Sequence, residues 1–98
     1  MVKGDEGKVI VYQVEYLNTA LGDAKGIGER ELKNIQARIT WLAQNAERII
    51  HHPLEGKRFR NKYRLRVGDY RVIYSLHHQN NTIVIELIGH RSKIYRER

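Results

Sequence analysis

Arg64, Arg66 and Arg71 are the residues of this 98-residue chain whose spacing most clearly suggests chemistry, and the chemistry would act on a phosphate. They lie in Tyr63-Arg64-Leu65-Arg66-Val67-Gly68-Asp69-Tyr70-Arg71-Val72-Ile73-Tyr74, two alternating segments joined by Gly68-Asp69. A two-residue turn in which Gly68 supplies a positive φ pairs Val67 with Tyr70 and sets Arg66 directly across from Arg71. Arg64 falls on the same face, one alternation away. Like charges opposed across an antiparallel pair destabilise it, so the row is best explained by a polyanion lying across that face, a phosphodiester above all.

Other reactive groups are sparse. The chain has no cysteine, which removes disulfides, thiolate nucleophiles and Cys-based zinc sites together. The adjacent pairs His51-His52 and His77-His78 point their members to different sides of a helix or strand, so neither pair chelates a metal alone, and no metal or other cofactor is expected. Ser75 and Thr82 have no partners that would activate them as nucleophiles. His90 is the one group near the arginines with a reference pKa, ~6.5, suited to proton transfer near neutrality. Glu86 is expected on the arginine face, paired with a neighbouring arginine in a structural salt bridge.

The charge is unevenly placed. Residues 57–98 carry eleven Lys and Arg against three acids, a net +8, whereas residues 1–56 come to −1. Positive potential therefore belongs to the strand-rich C-terminal half, as a nucleic acid docking on a sheet face requires. Lys57, Arg58, Arg60, Lys62 and Lys93 extend that basic surface and are expected to contact RNA. No apolar run approaches the ~20 residues that span a bilayer, and Met1–Gly7 is unlike a signal peptide, so a soluble cytoplasmic protein without membrane contact is expected.

The elements that must position these residues can be read along the chain. Residues 1–98 suit one domain, with Met1–Gly7 frayed. Lys8–Leu17 is rich in β-branched and aromatic residues and reads as a half or fully buried strand. Asn18–Gly28 contains Gly22, Gly26 and Gly28, lacks a clean period and reads as a loop with at most a helical turn. From Glu29, Leu32, Ile35, Ile39, Leu42 and Ala46 recur at spacings of three and four, which predicts an amphipathic helix. Trp41, beside that stripe, reads as a core or partner-facing aromatic rather than a stacking platform. After the hairpin, Asn80-Asn81 marks a second turn and Thr82–His90 a third consecutive strand. Pairing Gln79 with Thr82 would set His90 beside Arg71. The opposite face collects Tyr63, Leu65, Val67, Tyr70, Val72, Tyr74, Leu76, Ile83, Ile85 and Leu87. The expected fold is α+β, a small antiparallel sheet of an N-terminal strand and a C-terminal three-strand meander, one face covered by one or two helices and the arginine face open.

The hairpin run, followed by Ile88-Gly89-His90-Arg91 and Tyr95 and preceded by Pro53, Leu54 and Gly56, resembles the RelE/ParE superfamily of toxins from prokaryotic toxin–antitoxin pairs. The resemblance follows element order over residues 8–98 and is specific over 53–95. For the RelE branch it implies a metal-independent endoribonuclease that cuts mRNA on the ribosome by attack of a 2′-hydroxyl on the adjacent phosphorus. Carried over by position, Arg64 and Arg66 stand where that branch has basic residues, usually lysines, before the hairpin turn. Arg71 stands at the arginine that holds the scissile phosphate, Arg91 at the arginine ending the last strand, and Tyr95 near an aromatic that stacks on a base. Arginines bind phosphate in a bidentate way but carry protons poorly, which makes His90 the substitute candidate for proton transfer. The other branch, ParE-like toxins, implies inhibition of DNA gyrase without RNA cleavage. Both imply a cognate protein antitoxin.

Overall fold

The computed structural model describes residues 10–96. Met1–Gly7, expected to be frayed, and Lys8 and Val9 of the expected first strand lie outside the described residues. The strands are β1 (Gln13–Tyr16), β2 (His52–Pro53), β3 (Tyr63–Val67), β4 (Tyr70–His77) and β5 (Thr82–His90), and the helices are α1 (Asn18–Lys25) and α2 (Glu29–Asn45). They form an α+β architecture with one sheet ordered β1-β5-β4-β3-β2. The meander β3-β4-β5 is antiparallel as expected, but β1 runs parallel to β5, so the sheet is mixed. Parallel pairing needs a long crossover, and the helices fall within the connection that makes it.

The hairpin has the register its alternation predicts. Arg66 faces Arg71, Val67 faces Tyr70, and Gly68 has φ +59°. That backbone conformation is cheap for glycine and strained for a residue with a Cβ.

The stripe of α2 buries Ile35, Ile39, Leu42 and Ala43 against the sheet, each of the larger side chains contributing roughly 1.5–3 kcal/mol. Glu29 and Glu31 sit in its first turn, where the helix dipole favours carboxylates. Trp41 is not a core residue, being 37% exposed. The first strand, expected to be half or fully buried, is shorter and mostly exposed: among the described residues up to Leu17 only Tyr12 is buried, and Gln13, Glu15 and Tyr16 of β1 are exposed.

The segment read as a loop is a helix, α1, in spite of Gly22. Tertiary contacts override weak propensity here. Ala20 is fully buried, Thr19 Oγ1 donates to the Glu86 carbonyl at 2.6 Å, and Asp23 Oδ2 accepts the Ile88 N–H at 2.9 Å. Both tethers flank a β-bulge. Tyr74 pairs with Ile85 and Ile73 with Leu87, so Glu86 is an extra residue in β5. The bulge shifts the pleat by one, and Ile88 rather than Leu87 joins the core.

Two tyrosines anchor the helix side. Buried Tyr12 donates its hydroxyl to Glu47 and meets His78 Nδ1 at 2.7 Å, joining the N-terminal segment, the chain after α2 and the β4–β5 turn. Burial first, and then the Glu47 carboxylate, push the Tyr12 hydroxyl up to about 12. Buried Tyr74 is raised as well, by burial and the nearby Tyr63. It donates to His51 Nδ1 at 2.6 Å, since His51 Nε2 must donate to the Ala46 carbonyl at 2.9 Å. For an acid whose folded pKa lies above its unfolded value, stability is intact below the unfolded pKa and is lost as pH rises through the folded one. These tyrosines should therefore leave the thermal midpoint followed by circular dichroism unaffected up to pH 10 and lower it between pH 10 and about 12. Tyr12→Phe should make that fall shallower, and an unchanged slope would show that the Tyr12 contact does not control it.

Candidate active site

One cleft of about 510 Å³ gathers Arg64 and Arg66 from β3, Arg71 from β4, His90 from the end of β5, and Arg91, Ser92 and Tyr95 from the segment that follows. All six residues with expected roles in catalysis thus share one space, together with Ser92, for which the sequence suggested no role. Four guanidiniums and no carboxylate line it.

Each side chain has a local reason for its place. Arg71 Nη1 donates to the carbonyls of Gly68 and Tyr70, at 2.9 and 2.8 Å, so the turn itself aims this guanidinium. Arg91 donates its backbone N–H to the Asp69 carbonyl at 2.7 Å, which ties the end of β5 to the same turn. Its side chain lies 3.6 Å from Asp69 Oδ1, with both groups mostly exposed, and such a surface pair is worth ~0–1 kcal/mol. Arg91 is therefore free to exchange that partner for a phosphate.

His90 is not beside Arg71 as the expected register had it. His77 pairs with Thr82, and the bulge then brings Gly89 opposite Arg71 and His90 opposite Tyr70, with the His90 and Tyr70 rings in a T-shaped contact at 5.6 Å. His90 still lines the cleft because it ends the strand, where the chain turns back. There the Ser92 backbone N–H points at His90 Nδ1 from 3.1 Å, with Ser92 Oγ at 2.9 Å from the same nitrogen. A backbone N–H can only donate, so Nδ1 accepts and the proton of the neutral ring resides on Nε2. The ring is presented to a ligand as a donor.

The arginine face is not open throughout. The segment after β5 folds over part of it, burying Ile94 so closely that a Cβ on Gly89 would come within 3.0 Å of Ile94 Cδ1. Arg58 clamps this segment by donating to the Tyr95 and Arg96 carbonyls at 3.0 and 2.7 Å, and Phe59 meets the Tyr95 ring edge-on at 6.0 Å. Arg58, expected to contact RNA, is thus engaged in holding Tyr95. Lys62 is engaged too. Its ammonium lies 2.6 Å from Glu86 Oε2, so the partner of Glu86 is a lysine and not the arginine anticipated. Lys57, Arg60 and Lys93 are exposed, and none of them lines the cleft. Among the described residues no three His, Asp or Glu converge as a metal-ligand set, and no helix is long and apolar enough to cross a membrane.

Comparison with known proteins places this geometry in context. The family model described as the ParE toxin of the type II toxin–antitoxin system parDE matches residues 14–95. Among solved structures, a chain of the toxin–antitoxin complex RelBE2 from Mycobacterium tuberculosis is 25% identical, with 88% of this chain and 98% of that chain covered and a TM-score of 0.75. A chain of the RelB–RelE antitoxin–toxin complex from Methanococcus jannaschii is 26% identical, with 83% and 94% covered and a TM-score of 0.60. A YafQ variant from E. coli, 21% identical with 87% and 99% covered and a TM-score of 0.69, shares the fold. No curated protein matches by sequence.

Proposed function

The chain belongs to the RelE/ParE superfamily of type II toxins, and from that premise we propose that it is a ribosome-dependent mRNA endoribonuclease that blocks translation in the cytoplasm. The observation that carries the reading is the cleft with four guanidiniums, a histidine donor and no carboxylate among its lining residues. Guanidiniums stabilise the charge that builds on the phosphoryl oxygens in the transition state, where most of the rate enhancement of such chemistry originates.

In the proposed reaction, Arg64, Arg66 and Arg71 hold the scissile phosphate while the neighbouring 2′-hydroxyl attacks phosphorus in line. The cleft contains no free base, since arginines stay protonated and His90 Nε2 already bears hydrogen, so the 2′-proton passes to water. The phosphorus–O5′ bond breaks, His90 in its imidazolium form, with Nδ1–H donated to Ser92 Oγ, delivers the Nε2 proton to the departing oxygen and is left neutral, and Arg91 supports the charge there. The products are a cyclic phosphate and a 5′-hydroxyl. Tyr95, half-exposed beside Phe59, stacks on a base of the bound strand. The chemistry needs no metal in this scheme, because the arginines supply the positive charge. A cognate protein antitoxin is proposed to bind and silence the chain, as the solved RelB–RelE relatives are toxin–antitoxin complexes.

The test is incubation with a translation system, with primer extension across the mRNA, beside a DNA gyrase supercoiling assay. We expect cuts inside ribosome-bound mRNA, ends bearing cyclic phosphate and 5′-hydroxyl, and undisturbed supercoiling. Intact mRNA with inhibited supercoiling would overturn the nuclease reading in favour of a ParE-like gyrase inhibitor.

A further inference from the structure

A second cleft, of about 240 Å³, shares Arg64 and Arg66 with the first and is otherwise walled chiefly by Arg38 and Trp41 of α2 and by Ile49 and Ile50 beyond it. No carboxylate lines it. It reaches the sheet edge because β2 pairs only with Tyr63 and Arg64, leaving the rest of β3 without a strand on that side. Two of its apolar residues are exposed, Ile50 at 82% and Trp41 at 37%. The Arg38 guanidinium lies over the indole, 4.3 Å from the ring centroid. An indole and a guanidinium plane are both surfaces on which a nucleobase stacks.

We propose that this cleft takes a base of single-stranded RNA, the one adjoining the phosphate held by Arg64 and Arg66. The proposal rests on the reading of the arginine cleft as a phosphodiester site. Continuity favours RNA over an acidic peptide. The two arginines form the shared wall, so a strand leaving the first cleft past them enters the second, where flat surfaces meet the base and Arg38 meets the next phosphate. Stacking surfaces read no base edge, so the subsite accepts any base.

Trp41 is the single tryptophan of the chain, so its fluorescence reports on this cleft alone. At low ionic strength a chain of net charge +7 should bind RNA through its phosphates, and that binding is followed by the anisotropy of a labelled oligonucleotide. A short single-stranded RNA should quench Trp41 in step with binding, whereas an abasic ribose-phosphate chain of equal length should bind without quenching. Trp41→Ala should weaken RNA binding roughly tenfold and leave abasic binding unchanged, with Trp41→Phe restoring part of the loss. RNA binding without quenching, or equal quenching by both chains, overturns the stacking site and leaves the phosphate site standing. Absence of any RNA binding in the anisotropy arm removes the phosphate site and this proposal together. Quenching by an acidic, apolar peptide and not by RNA makes the cleft a protein-docking surface and also overturns the proposal.

Discussion

His90→Gln is expected to slow mRNA cleavage by ~10² to 10⁴ while leaving ribosome binding nearly unchanged, the range for loss of a general acid. The glutamine amide can still donate a hydrogen bond from about the same place, but it cannot transfer a proton. His90→Ala removes both abilities, so the pair separates proton transfer from simple donation. Single-turnover cleavage on programmed ribosomes reads the difference directly. If glutamine cuts near the parental rate and alanine does not, His90 acts as a fixed donor to the phosphate. Parental rates in both variants would reduce His90 to a strand-end residue packed on Tyr70 and leave Arg91 as the group supporting the departing oxygen.

Arg71→Ala should abolish toxicity with cleavage down at least tenfold, since removing a charge-assisted hydrogen bond from the transition state costs ~1.5–3 kcal/mol. Its effect on folding is the sum of two opposed changes. Removing Arg71 relieves repulsion with Arg66 across the hairpin, but it also removes the donor to the Gly68 and Tyr70 carbonyls. The Gly68 carbonyl sits at an exposed turn where water can replace the guanidinium, and the Tyr70 carbonyl is only part-buried, so thermal stability should stay within about 1 kcal/mol of the parent, the scale of a net hydrogen bond. Toxicity retained at normal stability would remove Arg71 from the phosphate site. A collapse in melting temperature would make it structural.

The hairpin, the stripe of α2 and the basic C-terminal half were legible in the sequence because each depends on local geometry. Alternation about Gly68-Asp69 determines which residues oppose each other, and a three-and-four period determines which helical face is buried. That logic was enough to assemble Arg64, Arg66 and Arg71 in one row, and a tight strand end brings His90, Arg91 and Tyr95 to it. It failed where distant parts of the chain decide the outcome. Helix α1 exists because Thr19 and Asp23 bond to β5 across more than sixty residues, and no local propensity contains that information. The β4–β5 turn closes on His77 and Thr82, which slides His90 two positions from Arg71, and the bulge at Glu86 returns one of them while moving Leu87 out of the core in favour of Ile88. Whether a basic residue is available to RNA was equally a tertiary matter. Arg58 and Arg60 are both basic and both exposed, yet the Arg58 guanidinium is engaged by two carbonyls of the C-terminal segment and that of Arg60 is not. The order of residues sets charge and periodicity, whereas the partner each charge finds depends on which surfaces the fold brings within about 3 Å, the reach of a hydrogen bond.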